Sequence, residues 1–371
     1  MSALVALAAL TAWLVLLFAR GGFWLAREVD SLSPCPEPAH WPAVTAIVPA
    51  RDEADVIARS IRSLLSQDYP GSFQVLLVDD SSSDGTGDIA REAGAEVIAG
   101  APLAAGWTGK LWAVSQGVAA AGDAPTYLWL TDADIEHAPD TLRSLVARGE
   151  AGGLALVSLM AKLACTNLAE RAIIPAFVLF FQMLYPFRWV NRPTGIGAAA
   201  GGCVLVRRDV LAKAGGLAAM RGALIDDCTL GALIKPHGGV WLGLTDRSRS
   251  IRPYPGFSAI AAMVSRSAYA QLGYNPLMLL GTIIGLVFVF LAGPMLALFG
   301  ESLARLAGVA TWVLMTIAYQ PMLRFYGRSP LWGLALPLVG AFYGGCTVLS
   351  ACQHWRGKGG MWKGRAQAAA S

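Results

Sequence analysis

Gln74-Val75-Leu76-Leu77-Val78-Asp79-Asp80-Ser81-Ser82-Ser83-Asp84-Gly85-Thr86 is an apolar run that stops on two carboxylates and breaks into turn-forming residues. It reads as a buried strand over 74–78, an acidic tip, and a turn into a helix over 84–93. The pattern recurs on both sides. The apolar stretch 44–50 ends in Arg51-Asp52-Glu53, and 127–130 runs through Thr131 into Asp132-Ala133-Asp134. A fourth acidic pair, Asp226-Asp227, opens an apolar helical stretch. Strands that end in carboxylates point to a mostly parallel α/β sheet, and such sheets bind ligands at their carboxyl edge. Carboxylates gathered there need a cation. Mg2+ or Mn2+ bridging to a diphosphate is the usual solution.

Working outward, strands are expected at 95–99, 155–160, 203–206 and 240–244 as well, and helices at 54–67, 110–121 and 139–148. The last of these would carry Pro139 in its first turn. A Pro-rich linker, Ser33-Pro34-Cys35-Pro36-Glu37-Pro38, precedes the first strand. The α/β domain is thus expected over 41–252.

Composition places this domain in a membrane protein. Of 371 residues, 55% are hydrophobic and 15% charged, against a usual charged share of about 25%; mean hydropathy is +0.51. The apolar residues are concentrated in runs at 1–19, 277–300, 308–323 and 331–353. Each approaches the roughly 20 residues that cross a bilayer core. The expected layout is a membrane anchor at 1–25, a transmembrane region at 275–353 and a basic tail at 354–371. A cleaved signal peptide fits the first run less well, because it has no Lys or Arg ahead of the apolar stretch and no small-x-small site before Arg20. Two further segments, 171–190 within the domain and 253–274 after it, read as interfacial elements; a buried core helix is the alternative for the first.

Arg20 and Arg27 follow the first run, so the positive-inside rule puts the α/β domain in the cytosol. A multi-pass membrane protein is expected. Three later spans would carry the C-terminus outside, against the preference of its four positive charges. The net charge of +4 is modest and no nucleic-acid module is present, so no nucleic-acid partner is expected. Six cysteines with no Cys-x-x-Cys spacing are expected as free thiols.

The individual motifs are weak alone. Asp134 at a strand tip suits a metal ligand and Asp132 a nucleotide contact, although helix-capping acids can look the same. Asp80 could accept a hydrogen bond from a nucleotide's base or ribose, or serve the turn. Gly106-Trp107-Thr108-Gly109-Lys110 is no Walker loop, since Ala104 and Leu111 stand where Gly and Ser/Thr are required. Lys110 could still meet a diphosphate at a helix start, or lie solvated on the surface. Asp226-Asp227 could supply a proton acceptor for an attacking hydroxyl, or an N-cap pair.

In this order, Pro49-Ala50-Arg51-Asp52-Glu53, Val78-Asp79-Asp80, Gly109-Lys110, Thr131-Asp132-Ala133-Asp134 and Asp226-Asp227 resemble the family 2 glycosyltransferases. With Arg252-Pro253-Tyr254-Pro255-Gly256 and the C-terminal spans, the chain is similar to the hopene-associated members of hopanoid biosynthesis, and more distantly to ceramide glucosyltransferase. The resemblance implies a GT-A fold, a nucleotide-diphosphate sugar donor, uridine-linked by expectation, and inverting transfer to a membrane lipid hydroxyl. Pro49, Arg51, Glu53 and Asp80 would surround the nucleoside, Asp132 and Asp134 would form the Asp-x-Asp pair with Asp134 on the metal, and Asp227 would be the base. Asp52 stands where the family often has Asn. Arg266 survives in Met263-Val264-Ser265-Arg266-Ser267, where lipid-glucosylating relatives carry Gln/Arg-x-x-Arg-Trp. The rival functions are a polyprenyl-phosphate sugar transferase and a non-catalytic nucleotide-sugar-binding scaffold.

Overall fold

The structure is a computed structural model and describes residues 1–362 and 365–366; the basic tail expected at 354–371 lies partly outside them. Two compact units divide the chain. One takes residues 27–164 and 189–253, the other residues 1–26, 165–188 and 254–360.

The first unit is built on one eight-stranded sheet. Its strands are β1 (Val44–Ala50), β2 (Phe73–Asp79), β3 (Glu96–Ala99), β4 (Tyr127–Thr131), β5 (Ile135–His137), β6 (Leu154–Lys162), β7 (Cys203–Arg207) and β8 (Gly239–Ser250). They lie in the order β3-β2-β1-β4-β7-β6-β8-β5. β1, β2, β3 and β4 pair in parallel; β7 is antiparallel to both β4 and β6; β6 and β8 are parallel, and β5 is antiparallel to β8. Six strands therefore point one way and only β7 and β5 oppose them. Every residue of β1 is buried, as befits a central strand covered on both faces.

Helices Ala54–Leu65, Thr86–Glu92, Gly109–Ala120 and Thr141–Gly152 fill the crossovers. The last begins after Pro139, not on it. Asp140 occupies the cap position and its carboxylate takes the Arg247 guanidinium at 2.9 Å. Ile57, Ile61 and Leu64 pack with Trp129, Leu142 and Leu145 in the core beneath the sheet. β5 escaped the sequence pattern because three residues are too few to show alternation.

Two close approaches set the active edge. A Cβ on Gly117 would meet Ile47 Cγ2 at 2.5 Å, so helix Gly109–Ala120 lies tight on β1. A Cβ on Gly231, in helix Asp226–Ile234, would fall 2.3 Å from the Ala198 carbonyl carbon, and one on Gly197 equally close to the Gly231 oxygen. That helix is therefore clamped, backbone to backbone, on the segment before β7.

The second unit is helical. Ser2–Ala19, Leu168–Val190, Pro276–Phe299, Ser302–Phe325 and Pro330–Trp355 are long and apolar enough to cross a membrane. The N-terminal and three C-terminal runs expected from hydropathy are among them. The fifth contains the apolar insert: Phe180 packs edge-on against Phe290 and Tyr343 at 5.1 and 4.8 Å. Its first turn is a capping box, with Asn167 accepting from the Glu170 amide and Glu170 from Asn167. All six cysteines are free.

Gly231→Ala should destabilise the protein by about 1–3 kcal/mol, because backbone on both sides cannot yield as a side chain would. Gly285→Ala, where a Cβ meets nothing within 4 Å, is the control. Thermal unfolding of the purified full chain should show a lower midpoint for Gly231→Ala only.

Candidate active site

The strand tips and the start of helix Asp226–Ile234 enclose an open cleft of about 400 Å³ of atom-free space, lined among others by Pro49, Lys110, Thr131, Asp132, Asp226 and Asp227. Pro49 has no N–H to give a ladder. The β1–β4 pairing ends at Ile47, two residues earlier, which leaves the mouth between the two strands open.

Lys110 is the centre of the cleft. Its Nζ lies 2.7 Å from Asp132 Oδ1 and 2.9 Å from Asp226 Oδ2. It is not a solvated surface lysine. Burial pulls its proton affinity down, but the Asp132 and Asp226 carboxylates more than offset this and hold it well above the ordinary lysine value. Asp132 is displaced upward, first by burial and then by Asp134 and Asp226, with Lys110 opposing.

Asp227 sits beside this pair. Its Oδ2 accepts from the Gly201 amide at 2.9 Å and its Oδ1 from the Cys228 amide at 2.7 Å. Burial and the neighbouring Asp226 charge push its pKa up to about 6, against the pull of Lys110 and the two amides. The cap position of the helix belongs to Ile225, so neither aspartate is spent as an N-cap.

A second cation completes the edge. Arg252, just beyond β8, donates from Nε to Asp134 Oδ2 at 2.8 Å and from Nη2 to Glu53. The Ile251 amide also donates to the Asp134 carbonyl at 2.9 Å. Arg252 was missed as a site residue. The available signal was its place in the Arg252-Pro253-Tyr254-Pro255-Gly256 run, after Arg247 and Arg249.

Around the tips of β1 and β2, Arg51 Nη1 donates to the Asp80 carbonyl and lies 3.8 Å from its carboxylate; Asp80 itself is buried. Asp52 has φ +50° and its Oδ1 takes the Ser83 amide at 2.8 Å. Asp is among the few non-glycine residues that tolerate this left-handed conformation. The site thus brings together Pro49, Arg51, Glu53, Asp80, Lys110, Asp132, Asp134, Asp226 and Asp227 within one unit. Arg266, exposed after helix Phe257–Ser265, belongs to the helical unit.

The donor set fits a divalent cation shared with a ligand. Four carboxylates at this edge, Glu53, Asp132, Asp134 and Asp226, share the two cations Lys110 and Arg252, so negative charge is in excess around Asp132 and Asp134. Among the described residues no three His, Cys, Asp or Glu side chains converge as a complete cage. Mg2+ characteristically takes one or two carboxylates and completes its shell with phosphates and water.

Residues 45–215 match the family model described as Glycosyl transferase family 2. Glycosyltransferase AglE of Haloferax volcanii is 44% identical over 52 residues, a stretch that spans 14% of this chain and 17% of that protein. Among solved structures, a mannosyltransferase from Pyrobaculum calidifontis, in complex with GDP-Man and Mn2+, superposes with a TM-score of 0.60 at 18% identity, covering 96% of this chain and 100% of that one. The shared architecture is a GT-A-like fold. The family match covers just under half of the chain and falls mainly in the unit that carries the acidic strand tips.

Proposed function

We propose that this chain is a membrane-bound inverting glycosyltransferase that moves a sugar from a nucleotide-diphosphate donor to the hydroxyl of a membrane lipid. The observation that carries this is the position of Asp227 on the wall of the cleft that Asp132 and Lys110 share, held by the Gly201 and Cys228 amides, where burial and Asp226 raise its pKa to about 6. A group so tuned is ionised at neutral pH yet basic enough to take a proton from an attacking hydroxyl.

The nucleoside is held by Pro49, Arg51, Glu53 and Asp80 at the tips of β1 and β2. Asp134, with Asp132 beside it, would hold Mg2+ or Mn2+; when bound, the ion neutralises charge developing on the departing diphosphate. Lys110 offers the diphosphate a second positive charge, released from Asp132 as the ligand enters. Asp227 accepts the acceptor's proton on the face opposite the leaving group, which makes the transfer inverting. The GDP-mannose and Mn2+ of the P. calidifontis structure support a nucleotide sugar with a divalent ion. The motif resemblance favours a uridine-linked donor and a hopanoid-related lipid. The apolar helices support a bilayer partner, and Arg20 and Arg27 a cytosolic face of the bacterial cell membrane, where nucleotide sugars are made. A polyprenyl phosphate acceptor would need no base, so the tuning of Asp227 speaks for a hydroxyl. Incubating purified protein with UDP- and GDP-sugars, bacterial lipid extract and Mn2+ tests this: a glycosylated neutral lipid supports it, and a sugar-phospholipid or no donor consumption contradicts it.

Asp134→Asn should lower metal-dependent turnover by about two orders of magnitude while the thermal midpoint stays put. Turnover equal to wild type would remove Asp134 from the metal.

Asp227→Asn should cost about 10²–10⁴-fold in transfer rate with nucleotide binding retained. In the wild type the rate should rise with pH through about 6 as Asp227 loses its proton. Asp226→Asn removes the like charge that raises this pKa, so its acid limb should move to lower pH. A pH-rate profile that does not move, or moves up, would contradict the assignment.

A further inference from the structure

The backbone amide that holds Asp227 is itself held. Gly201 lies between two residues tied to buried side chains of the sheet. On one side, Ser158 Oγ of β6 accepts from the Ala200 amide at 2.8 Å and lies 3.2 Å from the Ala200 carbonyl. On the other, Thr131 Oγ1 at the tip of β4 donates to the Gly202 carbonyl at 2.9 Å. A longer chain of contacts stands behind Thr131. His137 Nε2 of β5 lies 2.8 Å from Thr131 Oγ1, and His137 Nδ1 lies 2.9 Å from Ser248 Oγ of β8. Ser158, Thr131, His137 and Ser248 are all buried.

Elementary donor counting gives this chain a direction. The Gly202 carbonyl can only accept, so the single Thr131 hydroxyl proton points at it. Thr131 Oγ1 must then accept from His137, which places the imidazole proton on Nε2. His137 Nδ1 is left as an acceptor, and Ser248 supplies its proton. Only a neutral imidazole can do this, and burial holds His137 neutral, at a pKa of about 3.

We propose that His137 and Thr131 are positioning residues for the base: the directed chain Ser248–His137–Thr131 fixes the Gly202 carbonyl, and with Ser158 it aims the intervening Gly201 amide at Asp227 Oδ2. The amide donates to the ionised carboxylate and so stabilises the anion. Losing its aim would raise Asp227's proton affinity and leave the carboxylate free to turn. The charged groups that face Asp227 are Asp226, which raises its pKa, and Lys110, which lowers it. Neither is touched by changes in the relay. This rests on Asp227 being the base, but its test need not.

The test is carbodiimide coupling of glycine ethyl ester to Asp227 in the purified full chain between pH 5 and 8, read by fragment mass spectrometry, since the reagent attacks the protonated carboxyl. Wild type should show a midpoint near 6. Thr131→Val, which keeps the shape and deletes the hydroxyl, should move the midpoint up by about half to one pH unit. Thr131→Ser, which keeps the hydroxyl, should leave it in place. Should the valine variant not fold, Ser248→Ala breaks the far end of the chain and must shift the midpoint in the same direction. An unmoved midpoint in the folded variant overturns the relay, and so does an equal shift in Thr131→Ser. Full transfer activity in Asp227→Asn would instead overturn the base assignment while leaving the measured relay intact.

Discussion

Lys110 between Asp132 and Asp226 is the interaction on which the site depends. One ammonium, 2.7 and 2.9 Å from two carboxylates, ties the tip of β4 to the start of helix Asp226–Ile234, from its own place at the start of helix Gly109–Ala120. Burying a lysine is costly unless it is paired, and so is burying the two aspartates. Each makes the other tolerable. The glycines serve this contact: Gly117 lets the lysine's helix down onto β1, and Gly231 lets the aspartates' helix down onto the segment before β7. Remove either approach and three elements could no longer share one cation.

The paired cations also explain how an acidic cleft can stand ready without collapsing under its own repulsion. Lys110 holds Asp132 and Asp226, and Arg252 holds Asp134 and Glu53. On the proposed function, a diphosphate would give Lys110 and Arg252 new anionic partners, and a divalent ion would compensate carboxylates they release. Asp227 stands outside both pairs. Its oxygens are met by backbone amides, and burial together with the neighbouring Asp226 charge raises its proton affinity against their pull.

Much of this was legible in the sequence, because a strand that ends on a carboxylate declares both its direction and its edge. The tips of β1, β2 and β4 carry Glu53, Asp80 and Asp134, and their apolar runs lie within two residues of the observed strands. The apolar helices were equally plain, since hydropathy over some 20 residues outweighs any local exception. What stayed hidden was long-range pairing. Nothing in the run 203–206 says that β7 enters the sheet inverted, and nothing local to Lys110 says that two aspartates, one of them more than a hundred residues away, will bury it. Arg252 and His137 act through partners on other strands for the same reason. Pro139 misled because a proline favours a first helical turn, whereas here the helix starts two residues later, at Thr141.

On the proposed reading, in which Asp134 and Asp132 hold the divalent ion, the rest of its coordination would come from the donor and water. The most direct test is Mn2+ binding to the purified protein, followed by electron paramagnetic resonance with and without UDP or GDP. The account predicts weak binding of Mn2+ alone and an affinity at least about tenfold higher with one nucleotide, matched by an equal gain in nucleotide affinity with Mn2+. Mn2+ bound as tightly without nucleotide, or nucleotide binding indifferent to the metal, would contradict it.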